Sequence, residues 1–300
     1  MSHPTRRWRE RTITIYFDRM NASNRSAIAA FQRLHAAGCF VLPNPWDAGT
    51  AIYLRHLGFK ALATTSAGYA FSCGKSDGAV PRDEMLLHIR KVVAATPLPV
   101  NADFLGGFAD APEEVAANIA LCIATGVAGL SIEDSTGIDD PALYDERFAV
   151  ARIKAARQAI DESGTGVVLT GRCEAFLVGS PEPLRTTRAR LVAYAEAGAD
   201  CLYAPGVSEP ADVAALLEAV APKPLNVLVS GFNSQLSLAA LAALGVRRIS
   251  VGSGLALAAW GAFARAARDI ALQGRFETLA DATPFAELNQ LFASPNDNAK

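Results

Sequence analysis

The stretch Ala128-Gly-Leu-Ser-Ile-Glu133-Asp134 decides the fold. It is a short apolar run that stops on two carboxylates. About one strand–helix unit earlier, Leu98-Pro-Val-Asn-Ala-Asp103 stops on a third. A parallel strand covered by helices on both faces reads as continuous Val, Ile, Leu and Ala. An acid at its last residue leaves the sheet at the carboxyl end, where α/β proteins place their sites. Acids from two neighbouring strand ends predict a site for a hard cation, which takes oxygen ligands. An acid in that position can equally cap the following helix.

Outward from this stretch the same alternation occurs eight times. The predicted strands are Phe40–Pro43, Ala61–Thr65, Leu98–Asp103, Gly129–Glu133, Val167–Arg172, Cys201–Ala204, Leu225–Val229 and Arg248–Gly252. Segments with apolar spacing near 3.6 residues separate them, among them Asp83–Ala95, Pro112–Thr125, Tyr144–Ile160, Leu184–Ala197 and Pro210–Val220. Several open on proline or an acid, and several close on Gly58, Gly126, Gly198 or Gly245. Strict βα alternation with eight strands predicts an α/β fold of the (β/α)8 TIM-barrel type; a doubly wound open sheet is the alternative. A leading helix, Asn24–Ala37, is expected to close the barrel bottom. The long Ala/Leu-rich helix Leu255–Gln273 and a short helix near Pro284–Leu291 follow strand eight, and the small-residue surface of the long one predicts packing against another subunit. Residues 1–23 read as a poorly ordered extension or arm, 24–292 as one barrel domain, and 293–300 as a disordered tail.

Composition narrows the function classes. The chain has 300 residues, 51% hydrophobic, with a net charge of −2. It carries no long basic run, so no nucleic-acid partner is predicted, and no apolar stretch long enough to span a membrane. Met1 to Arg11 lacks the apolar core of a secretory leader, and the five scattered cysteines form no CxxC pair; both predict a cytoplasmic protein with reduced thiols.

At the barrel mouth the strand ends supply Asn44, Trp46, Asp47, Thr65, Ser66, Asn101, Asp103, Glu133, Asp134, Arg172, Glu174, Tyr203, Asn226, Ser230 and Ser253. The four histidines (His3, His35, His56, His88) fall in the tail or in helices, and no lysine ends a strand. A Schiff-base aldolase and a histidine-clustered zinc hydrolase are therefore not predicted. Carboxylates with one arginine suit Mg²⁺ (or Mn²⁺) holding a small oxyanion while Arg172 pairs with a carboxylate or phosphonate. An ion pair of Arg172 with Glu174 or Glu133 is the structural alternative. Cys173 reads as core, and Cys73 as the one cysteine in a loop.

The chain resembles the isocitrate lyase/phosphoenolpyruvate mutase superfamily over roughly residues 24–292. The phrases that carry the resemblance are Thr64-Thr-Ser66-Ala-Gly68 with Gly74-Lys-Ser-Asp77-Gly, Pro99-Val-Asn-Ala-Asp103 with Gly107-Phe108, Ser131-Ile-Glu133-Asp134, Gly171-Arg172-Cys-Glu174, Gly198-Ala-Asp-Cys-Leu-Tyr203 and Val246-Arg-Arg-Ile-Ser-Val-Gly252. The resemblance implies a barrel whose eighth helix is exchanged between subunits of a homodimer or homotetramer. It also implies Mg²⁺-dependent chemistry on a small 2-oxo acid or phosphonate, making or breaking a C–C or C–P bond through a pyruvate-type enolate. By position, Asp103 and Glu133 would bind the metal and Asp77 would act as a catalytic acid holding metal-bound water. Arg172 would act in catalysis by clamping the substrate carboxylate. Thr65, Ser66 and Ala67 would cradle the oxo-acid end, and Asn226 joins them as a substrate-binding residue at the mouth.

The chain departs from the pattern in three places. Leu105 stands where the family has a second acid. Ser135-Thr-Gly-Ile-Asp-Asp-Pro141 replaces the loop that carries the lyases' cysteine and the mutases' lysine. The strand-six acid of the lyases is replaced near Pro205. An isocitrate or 2-methylisocitrate lyase is not expected, because the proton donor of that reaction is missing. The leading expectation is a phosphonomutase- or lyase-type enzyme. The alternatives are an oxaloacetate decarboxylase or hydrolase, and a catalytically silent oxo-acid binder or scaffold.

Overall fold

Short apolar runs that end on polar residues become strands, and the computed structural model describes them within residues 24–137 and 142–293. They are β1 (Phe40–Leu42), β2 (Leu62–Ala63), β3 (Val100–Asp103), β4 (Gly129–Glu133), β5 (Val168–Arg172), β6 (Cys201–Tyr203), β7 (Leu225–Leu228) and β8 (Arg248–Ser250). All pairs are parallel, in the order β1-β8-β7-β6-β5-β4-β3-β2. Between β1 and β2, Ala63 N donates to Pro43 O at 3.0 Å. Asn44 completes that seam: Nδ2 donates to Thr64 O at 2.9 Å, while Oδ1 accepts from Val251 N at 3.0 Å and Gly252 N at 2.9 Å. The nearly closed sheet is the expected (β/α)8 barrel.

The helices are α1 (24–36), α2 (Ala48–His56), α3 (Ser66–Ser72), α4 (Arg82–Ala94), α5 (Pro112–Ile123), α6 (Glu146–Ser163), α7 (Pro183–Glu196), α8 (Pro210–Val220), α9 (Leu238–Leu244), α10 (Gly254–Gln273) and α11 (Phe285–Ala293). Their ends follow local chemistry. Proline opens α5, α7 and α8, where its missing N–H costs nothing, and Glu113 and Glu114 face the positive end of the α5 dipole. Asp145 caps α6 by accepting from Arg147 N at 3.0 Å, and Gly164 ends it at φ 63°, a conformation that suits a residue without Cβ.

The core lies between the barrel and its helices, with a smaller cluster of Ala51, Leu54, Leu62, Val92 and Val100 joining α2 and α4 to β2 and β3. Helix α1 closes the amino end of the barrel, as expected. Its Phe31 is fully buried, and a Cβ on Gly129 would lie 2.5 Å from Phe31 Cε1, so β4 needs glycine at that point. Burying a phenylalanine stabilises by roughly 1.5–3 kcal/mol.

Three features differ from or fall outside the sequence reading. The segment after β2, expected as a loop, begins with the seven-residue helix α3. Expected residues 1–23, 294–300 and part of the short loop, 138–141, lie outside the described residues. Helix α10 buries only Ala256. All five cysteines are free thiols, with Cys122, Cys173 and Cys201 in the core. Among the described residues no helix is long and apolar enough to cross a membrane.

Candidate active site

Strand register builds the site. Glu133 on β4 stands opposite Arg172 on β5, which stands opposite Tyr203 on β6, itself opposite Asn226 on β7. Three strand ends thus bring Asp103, Glu133 and Arg172 together. Arg172 Nη1 lies 3.3 Å from Asp103 Oδ1 and 3.2 Å from Glu133 Oε2, and Nε donates to Glu174 Oε1. Both sequence readings of Arg172 meet here, since an arginine at a cavity wall is also the hub of an ion-pair cluster.

Asp103 is fastened from a second side. Its N donates to Thr64 Oγ1 at 2.9 Å, and its Oδ2 accepts from Ser66 N, the first amide of α3, at 2.9 Å. The Thr65 hydroxyl is engaged as the cap of that helix, accepting from Gly68 N at 3.1 Å. An unpaired first-turn amide is costly, so these two bonds explain why a segment with little helical periodicity turns helical.

These groups surround a cavity of about 190 Å³ lined by Thr65, Ser66, Ala67, Asp77, Asp103, Arg172 and Asn226. At about 30 Å³ per water it has the size of a small acid. The predicted site residues therefore meet at one mouth, with Glu133 just behind Arg172. Asn226 is spoken for by its neighbours, donating to Ser250 Oγ at 2.9 Å and accepting from Arg248 Nε at 2.9 Å. Described histidines His35, His56 and His88 lie in α1, α2 and α4.

The electrostatics are lopsided. Three carboxylates, Asp103, Glu133 and Glu174, share the Arg172 guanidinium, and a fourth, Asp77, lines the same cavity. Burial pushes Glu133 up to about 8 against the pull of Arg172, with Glu174, Asp103 and Asp77 adding to the rise. Desolvation and the Asp103 charge raise Asp77, while the Ser66 hydroxyl lowers it. Burial disfavours the charge on Arg172, but the surrounding acids, Glu133 first, hold it well above its ordinary value. Tyr203, whose ring centroid is 5.2 Å from the Arg172 guanidinium carbon, is pushed up to about 12 by burial and so lines the cavity as a neutral phenol.

This donor set fits a hard divalent cation. Glu133 Oε2 is buried without a hydrogen bond, although Arg172 is within ion-pair distance. The acids outnumber the available cation, and all of the candidate ligands are oxygens. Among the described residues no three ligating side chains are already gathered at one point, because Arg172 stands between Asp103 and Glu133. Mg²⁺ keeps several waters and needs only one or two direct carboxylates.

Two residues read differently in three dimensions. Asp134, adjacent to Glu133, turns outward by strand alternation and accepts from Glu174 N (2.8 Å), Arg190 Nη1 (3.0 Å) and Tyr194 Oη (2.6 Å). It is a buried latch between strand ends and α7, not a group of the cavity. Arg248 lines the cavity floor although sequence reasoning gave it no role. The available signal was the doublet Arg247-Arg248 inside an apolar strand, where period-two alternation must turn one arginine inward.

A parallel barrel with carboxylates clustered around one arginine at its mouth is the architecture of enzymes that handle small anionic acids. The chain belongs to the phosphoenolpyruvate phosphomutase family, whose model matches residues 31–271. This family lies within the phosphoenolpyruvate mutase/isocitrate lyase superfamily, and the chain's homologues and structural neighbours include lyases and mutases of that superfamily. The Mycobacterium tuberculosis (strain H37Rv) protein Rv1998c, itself uncharacterized, is 35% identical over 263 residues, 86% of this chain and 94% of its own. The 2-methylisocitrate lyase of Salmonella typhimurium is 29% identical over 193 residues, 62% of each chain. A Burkholderia cenocepacia J2315 protein provisionally assigned as a lyase or mutase has a crystal structure with TM-score 0.89 and 48% identity, covering 93% of this chain and 100% of that one.

Proposed function

We propose that the protein is a Mg²⁺-dependent enzyme (with Mn²⁺ as the alternative cation) that makes or breaks the C–C or C–P bond of a small 2-oxo acid or phosphonate through a pyruvate-type enolate. The observation that carries this reading is the meeting of Asp103 and Glu133 on Arg172 beside a cavity sized for a small acid, which Asp77 also lines. Asp103 and Glu133 would hold the cation, with Asp77 orienting its water. The bound cation would supply positive charge that keeps these acids ionised and polarises the oxo group.

The chain's own groups do the rest. Arg172 engages its acidic neighbours through Nε and Nη1, leaving Nη2 for a substrate carboxylate. Of the first amides of α3, Ser66 N and Gly68 N are engaged, so Ala67 N between them is the donor left for the oxo-acid end. The neutral Tyr203 phenol lines the same cavity as a further donor. Donors fixed before reaction stabilise growing enolate charge without reorganising.

We also propose exchange of α10 between subunits of a dimer or tetramer. In one chain that helix leaves Leu257 52%, Trp260 43%, Phe263 62% and Leu272 79% exposed, an apolar surface of the kind that associates.

Calorimetric titration with Mn²⁺, and a turnover screen with Mg²⁺ on oxaloacetate, phosphonopyruvate and branched 2-hydroxy diacids, test the proposal. The wild type should bind the cation and turn over one of these classes, and Asp103→Asn should lose both. A wild type that binds no divalent cation and no oxo acid would overturn it.

A further inference from the structure

We infer that Arg248 is a second anion anchor at the floor of the cavity and makes the site selective for acids with two anionic groups over those with one. This rests on the reading of the mouth as an oxo-acid site. Arg248 opens β8 and its side chain points into the barrel, where it lines the same cavity as Asp103 and Arg172 while being only 2% exposed. The interior of such a barrel is ordinarily filled by branched apolar side chains, so a guanidinium there needs a reason.

Its neighbours do not supply a counter-charge. Nε donates to Asn226 Oδ1 at 2.9 Å, Nη2 to Thr170 Oγ1 at 3.0 Å, and Nη1 to His35 Nε2 at 3.2 Å. His35 Nδ1 lies 2.8 Å from Phe31 O, which can only accept, so Nδ1 carries the proton and Nε2 is the free lone pair. Burial first, and then the Arg248 charge, lowers His35 to about 3, so the imidazole is neutral. All three partners are therefore uncharged acceptors. Among the described residues no aspartate or glutamate pairs with Arg248. Arg172, by contrast, is shared by three acids.

A buried charge is retained at a cost unless something of opposite sign meets it. The guanidinium fork carries five N–H donors, and three bonds to protein groups leave two. The three contacts also fix its plane, so a second carboxylate or phosphonate reaching the floor would meet a preorganised donor pair. One anionic group would then lie at Arg172 near the mouth and the other at Arg248 below it.

The test compares malate with lactate, which differ by one carboxylate and undergo no decarboxylation, by calorimetry with Mg²⁺ present. A hydrogen-bonded charge contact of this kind corresponds to roughly 10- to 100-fold in affinity. The wild type should favour malate by about that factor, and R248Q should lose the preference while binding lactate as before. Equal binding of the two acids by the wild type would overturn the inference, as would an undiminished preference in R248Q. The wild-type comparison decides even if R248Q does not fold, and R248K, which keeps the charge without the fork, should keep a weakened preference for malate. A wild type that binds neither lactate, malate nor pyruvate would refute the oxo-acid reading itself. Binding of all three without discrimination would refute only the role of Arg248.

Discussion

Replacing Arg172 by methionine removes the one guanidinium that Asp103, Glu133 and Glu174 share. Its Nη1 lies 3.3 Å from Asp103 and 3.2 Å from Glu133, and the side chain is 16% exposed, so water screens these pairs little. Deleting one partner of a buried ion pair costs about 3–5 kcal/mol, because the other charge stays buried without compensation. For a chain of 300 residues that corresponds to a fall in Tm of roughly 5–8 °C. The deficit should depend on pH, with a definite sign. Without Arg172 the folded-state pKa values of Glu133 and Glu174 rise further above their unfolded values, Glu133 starting from about 8. Between the two values the folded chain holds more protons than the unfolded one, so stability falls as pH rises. The expected result is a small deficit at pH 5, where the acids can protonate, and a larger one at pH 8, where Glu133 of the wild type is part ionised and the deficit is still growing with pH. Thermal unfolding followed by circular dichroism, with EDTA present to remove divalent cations, measures it. An Arg172→Met protein as stable as wild type at pH 8, or equally destabilised at both pH values, would refute the reasoning.

Gly129→Ala would place a Cβ 2.5 Å from Phe31 Cε1 and 2.7 Å from Asn101 Oδ1, an overpacking worth about 1–3 kcal/mol in urea denaturation; an unchanged midpoint would show that α1 does not seat against β4. His88 is buried against Tyr69, with ring centroids 3.8 Å apart, and burial lowers it from 6.5 to about 4. Between those pH values the unfolded chain takes up a proton that the folded chain refuses, so stability is lost as pH falls, by up to about 3 kcal/mol. His88→Gln should flatten that part of the pH–stability curve, and parallel curves would disprove it. Leu105 adopts φ 49°, which aspartate tolerates better than leucine. Leu105→Asp should therefore tighten Mn²⁺ binding about tenfold with no loss of stability; calorimetry showing no gain would mean the new carboxylate points away from Asp103.

The barrel is readable in the sequence because each strand is a compact apolar run closed by a polar residue, and most αβ turns carry a glycine, while those before β3 and β7 carry prolines instead. Asp103, Glu133 and Arg172 are readable for the same reason: the last residue of a strand has its direction fixed by the sheet. Helix α3 is not readable, since Ser66-Ala-Gly-Tyr-Ala-Phe-Ser72 lacks a 3.6-residue pattern and is held by a hydrogen bond from the Ser66 amide to Asp103, 37 positions away. The sequence does not separate Glu133 from Asp134 by role either, because that depends on which faces the barrel and which faces Arg190 and Tyr194. Arg248 needs still more. Period two sends one arginine of its doublet inward, but the choice depends on the shear that sets it opposite Asn226, and its partners lie 22, 78 and 213 positions away.

The bond between Ser66 N and Asp103 Oδ2 makes one carboxylate serve two masters, the opening turn of α3 and whatever occupies the cavity. A ligand that draws on that oxygen must either share it with the amide or displace it. Linkage makes the exchange mutual: whatever loosens residues 66–72 changes ligand affinity by the same factor by which the ligand changes the order of those residues. The peptide N–H of Ser66 is thus a built-in reporter of occupancy, readable by its proton-exchange rate without any label near the cavity.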